Sequence, residues 1–251
     1  MEKYSIKDDI WPKLFEFFQF YNGVYARDEK KVRLFVEAVF WILRTGAQWR
    51  ELPQQYGKWP SVHKRFMAWD QKGVWAKLLS HVSRDYDGES VMLDGSIVRA
   101  HACASGWVKG GNESQALGRS KGGFTTKIHA LVDALGQALR FILTPGHRHE
   151  STQAIALIEG IERANIIGDK AFDSDALISK IQQQKCTPVI PSRKNRLKKR
   201  FYDKHLYRER HLIELFFGKL KHFRRIFSRF DKKASTYTAF LSLASTLLWL
   251  R

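Results

Sequence analysis

The sequence has little cysteine, with only Cys103 and Cys186 among 251 residues. Their separation matches no metal-finger spacing, and two thiols build no disulfide framework, so a reducing compartment fits. The N-terminus carries no apolar leader. No apolar run is long enough to span a bilayer, which takes about 20 residues. The longest, "AFLSLASTLLWL" from Ala239 to Leu250, is predicted to be a buried terminal helix. Together these absences predict a cytoplasmic protein with no membrane partner. Acidic residues are also scarce. There are 25 Asp and Glu against 43 Lys and Arg, a net charge of +18, which predicts a polyanionic partner and nucleic acid first among them. Charge is not the whole story, because 44% hydrophobic and 13% aromatic residues suffice for one large domain or two modest ones with real cores. There is no internal repeat.

The first third reads as helical. "KVRLFVEAVFWILRTG" carries apolar residues at helical spacing and stops at Gly46. After a turn region with two prolines, Ser61 is expected to cap "SVHKRFMAWDQKG", closed by Gly73, and "VWAKLLSHVSRDY" follows. Helix, turn and helix with Lys64 and Arg65 near the start suggest a helix-turn-helix DNA reader, with a plain three-helix bundle as the alternative. After "DYDGES" the pattern changes. "VMLDGSIVRAHA" reads as a strand, residues 102–123 as a long loop, and "FTTKIHALVDALGQALRFILTPG" as two strands around a turn. "STQAIALIEGIERA" is predicted to be a helix capped by Ser151 or Thr152. "NIIGD" and "CTPVIP" are predicted to be strands flanking the helix "SDALISKIQQQK", with Asp173 and Asp175 as its expected caps. A basic connection then leads into "YRERHLIELFFGKLKHFRRIFSRF", expected to be one helix. The expected fold class is α/β with a mixed sheet, behind a small all-helical segment. The expected division is 1–86 and 87–251.

Two apolar strands end in acids, Asp94 after "VML" and Asp169 after "NIIG". Acids delivered to one edge of a sheet can build a metal site, and oxygen donors suit Mg²⁺ or Mn²⁺. Either aspartate alone more simply terminates its strand. On a helix, Tyr207, Arg210, Glu214 and Lys221 fall on one stripe, since seven residues return nearly to the same face and four fall about 40° away. A surface salt bridge at helical spacing is the plainer account of Glu214. The surroundings favour more than that. Residues 192–233 hold sixteen Lys and Arg against four Asp and Glu, a local excess of +12, as expected of a surface that follows a DNA backbone. His101, His129, His147 and His149 match no zinc pattern and are read as structural or phosphate-contacting. The tryptophans, including Trp11, Trp69 and Trp75, are read as core.

These residues resemble the DDE transposases of bacterial insertion sequences, in the IS-five and IS-four-like superfamily. Tyr207, Arg210, Glu214 and Lys221 match that family's Y-x2-R-x3-E-x6-K spacing. "LDGSIVRAHACASG" and "IIGDKAFDSDAL" match its first and second acidic regions, and "GRSKGGFTTKIHALVD", "LTPGHRHES" and the C-terminal "DKKASTYTAFLSLASTLLWLR" agree as well. The resemblance covers nearly the whole chain. One departure is Gly95-Ser96, where relatives more often carry Ser-Thr. The resemblance implies an RNase H-like catalytic domain, with Asp94, Asp169 and Glu214 as a catalytic triad holding two Mg²⁺ or Mn²⁺ ions. It implies that Tyr207, Arg210 and Lys221 position DNA, joined by Lys64 and Arg65 in the helical segment. The implied partners are double-stranded DNA, both transposon-end inverted repeats and target, and a second copy of the chain in a homodimer on paired ends. The 44 residues between Asp169 and Glu214 leave no room for a large insertion domain. A catalytically silent DNA-binding repressor and a stand-alone RNase H-like nuclease are the rival readings.

Overall fold

The computed structural model describes residues 5–106, 111–120 and 123–251. Along the chain come α1 (Trp11–Phe20), α2 (Glu29–Thr45), α3 (Trp59–Gln71) and α4 (Val74–Val82), then β1 (Ser90–Ala100), α5 (Gly111–Ser114), β2 (Gly118–Ser120), β3 (Gly123–Asp133) and β4 (Ala138–Pro145). There follow α6 (Ala154–Leu157), β5 (Asn165–Gly168), α7 (Asp175–Gln183) and β6 (Thr187–Val189). The chain closes with α8 (Lys204–Arg208), α9 (His211–Lys221), α10 (Arg224–Phe227), β7 (Ser228–Arg229) and α11 (Ala234–Trp249). Among the described residues no helix is long and apolar enough to cross a membrane.

Two compact units emerge, one built from residues 1–84, 99–108 and 220–251, the other from 85–98 and 109–219. The first is helical and its core is aromatic. Phe66 stacks on Phe240 at 4.7 Å, and Phe18, Phe35, Trp69 and Trp75 close around one another at centroid distances of 4.8–6.4 Å. Trp11, Trp69 and Trp75 are buried as expected, whereas Trp59 is exposed. Asp28 accepts a hydrogen bond from the Lys31 amide to start α2, and Gly46, at φ 69°, ends it in the left-handed conformation that glycine adopts most easily. The expected cap at Ser61 is not used. Helix α3 begins earlier, at Trp59, because Pro60 has a fixed φ suited to a first helical turn. The terminal apolar run forms α11 and is buried along most of its length.

The second unit contains most of a mixed sheet with β1 at its centre. On one side β3 joins β1, pairs antiparallel with β4 through Thr126–Val132, and takes β2 as a further antiparallel partner. On the other side β5 runs parallel to β1 and β6 parallel to β5. This is the arrangement of the RNase H-like fold. Val91, Met92, Leu93, Ile166 and Ile167 are fully buried, the continuous apolar pattern of parallel strands covered on both faces. One core cluster gathers Val91, Leu93, Ile166, Phe172, Leu177 and Ile181.

Three sequence expectations need correction here. The helix predicted over 151–164 shrinks to α6. Gly160 turns left-handed at φ 77°, and the Arg140 guanidinium donates to the carbonyls of Ala156, Leu157 and Glu159, satisfying groups that a longer helix would have used. The single basic helix predicted from Tyr207 to Phe230 is α8, α9, α10 and β7. Turn bonds from the Glu209 and Arg210 amides to Leu206 and Tyr207 break it first. Further on, Phe223 leaves the helical path to bury itself near Phe40 and Arg44, and Ser228 and Arg229 pair with β1. Third, the loop expected at 102–123 lies partly outside the described residues, and its described part contains α5 and β2.

Candidate active site

Parallel pairing decides where the two aspartates go. Leu93 of β1 is in register with Gly168 of β5, so the residues that follow them, Asp94 within β1 and Asp169 just past the end of β5, are brought to neighbouring positions. Asp94 is largely buried. Its Oδ1 accepts the Gly95 amide at 2.7 Å and its Oδ2 accepts Nη1 of Arg210 at 3.0 Å. Burial pushes its pKa up to about 6. The Gly95 amide and Arg210 act against this, while the neighbouring Glu150 and Asp169 add to it. Asp169 accepts the Ala171 amide at 2.7 Å and caps the short turn at Lys170–Phe172.

Glu214 arrives from the first turn of α9. The helix is held to the sheet unit by Phe216, which stacks on Phe141 of β4 at 6.1 Å, and by Leu212, which lies against Gly136 in the β3–β4 turn. Gly136 sits at φ 73°, and an added Cβ would come within 3.2 Å of the Leu212 carbonyl, so only glycine fits there without displacing α9. Arg210 precedes the helix and forks between Asp94 and Glu214, forming an ion pair with each. Burial works to lower its pKa, yet Asp94, Glu214, Tyr207 and Asp169 together hold it above the ordinary arginine value. Tyr207 lies on α8, edge-on to Tyr202 at 5.5 Å, with its phenol raised chiefly by burial.

Asp94, Asp169, Tyr207, Arg210 and Glu214 therefore lie within electrostatic reach of one another, through Arg210. Lys221 ends α9 and is half-buried. Lys64 is exposed on α3, whereas the Arg65 guanidinium is spent on packing, 4.4 Å from the Phe35 ring centre and 5.0 Å from that of Trp69. Asp173 and Asp175 do not cap α7; Ser174 does, accepting the Leu177 amide. His129 is a buried core residue bonded to the Thr144 hydroxyl at 2.8 Å. Among the described residues no three His, Cys, Asp or Glu side chains are grouped closely enough to hold a metal ion. The carboxylates nonetheless fit such an ion in kind. They are all-oxygen donors and Asp94 is costly to ionise without a cation, a place that the Arg210 guanidinium takes between Asp94 and Glu214 in this structure.

Sequence reasoning missed Glu150. It forms an ion pair with buried Lys127 of β3 at 3.4 Å and crosses the backbone at Gly95, where an added Cβ would stand 2.9 Å from its Cγ. The glycine that departs from the family pattern thus makes room for a further acid beside Asp94. Glu150 stands in "HRHES", between histidines read as structural and a serine read as a helix cap.

Sequence comparison with known proteins matches transposase families along both parts of the chain. The family model described as Transposase DDE domain matches residues 86–249, and a model for candidate transposases of the IS4/5 family matches residues 6–79. A candidate transposase for insertion sequence element IS6501 from Brucella ovis is 42% identical over 129 residues, which are 51% of this chain and 99% of that protein. A candidate transposase for element IS402 from Burkholderia cepacia is 28% identical over 49% of this chain and 62% of its own length. A piggyBac transposase chain, solved in a synaptic complex with hairpin DNA, aligns at a TM-score of 0.42 and 12% identity over 78% of this chain, which spans half the length of that one. With the DDE model matching well over half of its residues, this chain belongs to the DDE transposase family.

Proposed function

We propose that this chain is a DNA transposase that binds insertion-sequence ends, cleaves them by phosphodiester hydrolysis and joins the freed 3′-OH to target DNA. The observation that carries this reading is the parallel register of β1 and β5, which delivers Asp94 and Asp169 side by side. Asp94, Asp169 and Glu214 would hold divalent cations, Mg²⁺ or Mn²⁺. Two such ions, when bound, supply activation of the attacking oxygen and charge neutralisation at the scissile phosphate. In the first step water adds to phosphorus as the P–O3′ bond breaks, leaving a 3′-OH and a 5′-phosphate. In the second the 3′-OH adds to a target phosphorus as that target P–O3′ bond breaks, which joins the transposon 3′ end to the target 5′ side and releases a target 3′-OH that takes up the proton. Arg210 pairs with Asp94 and Glu214 in the resting site, and its planar fork suits backbone phosphate once DNA and cations are present. Tyr207 braces the guanidinium and Lys221 adds positive charge on the same strip of sequence. Residues 1–86 serve as the helical DNA-binding part, with Lys64 its freer cation, and 87–251 as the catalytic part, working as a homodimer on paired ends.

The test is strand transfer of a pre-cleaved transposon end with Mg²⁺. Asp94→Ala, Asp169→Ala and Glu214→Ala should each abolish joining while leaving end binding. Joining that survives all three substitutions sinks the triad. Wild-type protein that binds ends but never nicks or joins would establish a repressor instead.

A further inference from the structure

The connection between β6 and α8 is folded, although it has no regular structure. The Arg200 amide donates to the Ser192 hydroxyl at 2.8 Å and the Arg196 amide to the Arg193 carbonyl at 3.1 Å, which closes residues 192–200 into a compact loop. Two acids pin it. Asp173, almost fully buried, accepts the Arg193 amide at 2.8 Å, Nε of Arg196 at 2.8 Å and the Arg200 guanidinium. Asp175 accepts both of those guanidiniums from its exposed position. The Arg193 side chain donates to the carbonyls of Lys170 and Ala171, in the turn that Asp169 caps. The loop is therefore anchored to the turn that carries a candidate catalytic acid.

What this anchored loop presents is unusual. Leu197 is fully exposed, Phe201 is 95% exposed, and Lys194, Lys198 and Lys199 are exposed around them. Single exposed apolar residues are ordinary, but two large ones flanking lysines on a tethered loop are not explained by packing. A second copy of the chain is a poor occupant, because a self-complementary contact would bring two clusters of lysine together. A polyanion with apolar faces satisfies both chemistries, and nucleic acid has phosphates for the lysines and bases for an aromatic ring.

We propose that residues 192–201 form a preset DNA grip, in which Phe201 stacks on an unpaired base, Leu197 packs beside it, and Lys198 and Lys199 hold the flanking phosphates. The proposal rests on the transposase reading and adds to it a base-contacting element outside the Tyr207–Lys221 segment. The acids that pin the arginines fix the loop before DNA arrives, which lowers the ordering cost of binding.

The experiment uses the full chain and two probes: a blunt duplex, and the same duplex with a single-stranded 3′ tail carrying 2-aminopurine. Wild type should quench the tail fluorescence. Phe201→Ala should lose the quenching and bind the tailed probe about tenfold more weakly, with an unchanged salt slope and unchanged blunt-duplex affinity. Phe201→Trp should restore both. A double Lys198→Ala/Lys199→Ala variant should lower the salt slope by about two on either probe. Asp175→Asn makes the chain more positive, so charge alone predicts tighter binding; a preset loop predicts weaker quenching. Phe201→Ala behaving like wild type on the tailed probe overturns the grip. So does a change of oligomeric state in sedimentation with DNA binding intact, which would make this a self-association surface. Strand-transfer loss in the Asp94 and Asp169 variants tests the transposase reading separately, and wild type that binds neither probe ends both.

Discussion

Asp94 and His129 titrate over overlapping ranges with opposite signs. Asp94 has its pKa raised from 3.8 to about 6, so between those values the folded chain holds a proton that the unfolded chain has released. Stability from this group falls as pH rises through that window and the cost is complete above it. Replacing it by a neutral isostere should therefore stabilise the metal-free protein. We expect Asp94→Asn to gain about 1–2 kcal/mol in urea unfolding at pH 7.5 with EDTA, and to gain nothing near pH 4. An equal gain at both pH values would rule out titration as the cause. His129 is depressed from 6.5 to about 4 by burial, with Lys127 adding to it. Its folded form stays neutral where the unfolded one is protonated, so stability is lost as pH falls from about 6.5 to about 4. The lead of wild type over His129→Gln should narrow by roughly 2–3 kcal/mol between pH 7 and pH 4. A constant lead would mean that His129 does not titrate in that range.

At the scale of elements, legibility in the sequence followed the range of the interactions involved. β1 and β5 were legible because burial on both faces imposes a continuous apolar run, and that run also located Asp94 and Asp169. Helix α2 was legible because Gly46 closes it locally. Where distant residues decide, the pattern misled. Nothing in "STQAIALIEGIERA" shows that Arg140 will take its carbonyls, and nothing in "GKLKHFRRIFSRF" shows that Phe223 will turn inward and Ser228 will pair with Arg99. Glu150 was missed for the same reason, since its closeness to Gly95 exists only in the fold. The break after α9 has its own internal support. Arg225, buried on α10, donates to Asp231 through Nε and Nη2 and to the Ala47 carbonyl through Nη1, with its guanidinium 4.9 Å from the Phe240 ring centre. Removing one member of a buried pair strands the other charge. Asp231→Asn should cost about 3–5 kcal/mol in chemical denaturation, and the Arg225→Met/Asp231→Leu double variant less than Asp231→Asn alone. A double variant as damaged as the single would show that shape, and not the stranded charge, is what Asp231 provides.

For the whole molecule, the net charge of +18 was the earliest pointer to DNA, but the fold shows that these charges are not equivalent. Arg196 and Arg200 are neutralised by Asp173 and Asp175, Arg210 by Asp94 and Glu214, and Arg225 by Asp231. Lys194, Lys198, Lys199 and Lys219 are exposed instead. Counterion release depends on cations that meet phosphate, so net charge overstates the electrostatic contribution to binding. Arg196→Gln and Lys198→Gln change the formal charge by the same amount and sit two residues apart. In binding isotherms on a blunt duplex over a series of salt concentrations, Lys198→Gln should lower the slope of log K against log salt by about 0.9. Arg196→Gln should leave the slope in place, even where loss of its ties to Asp173 and Asp175 weakens binding at every salt concentration. The two variants moving the slope together would mean that the acids do not shield their arginines from DNA, and that total charge governs this surface after all.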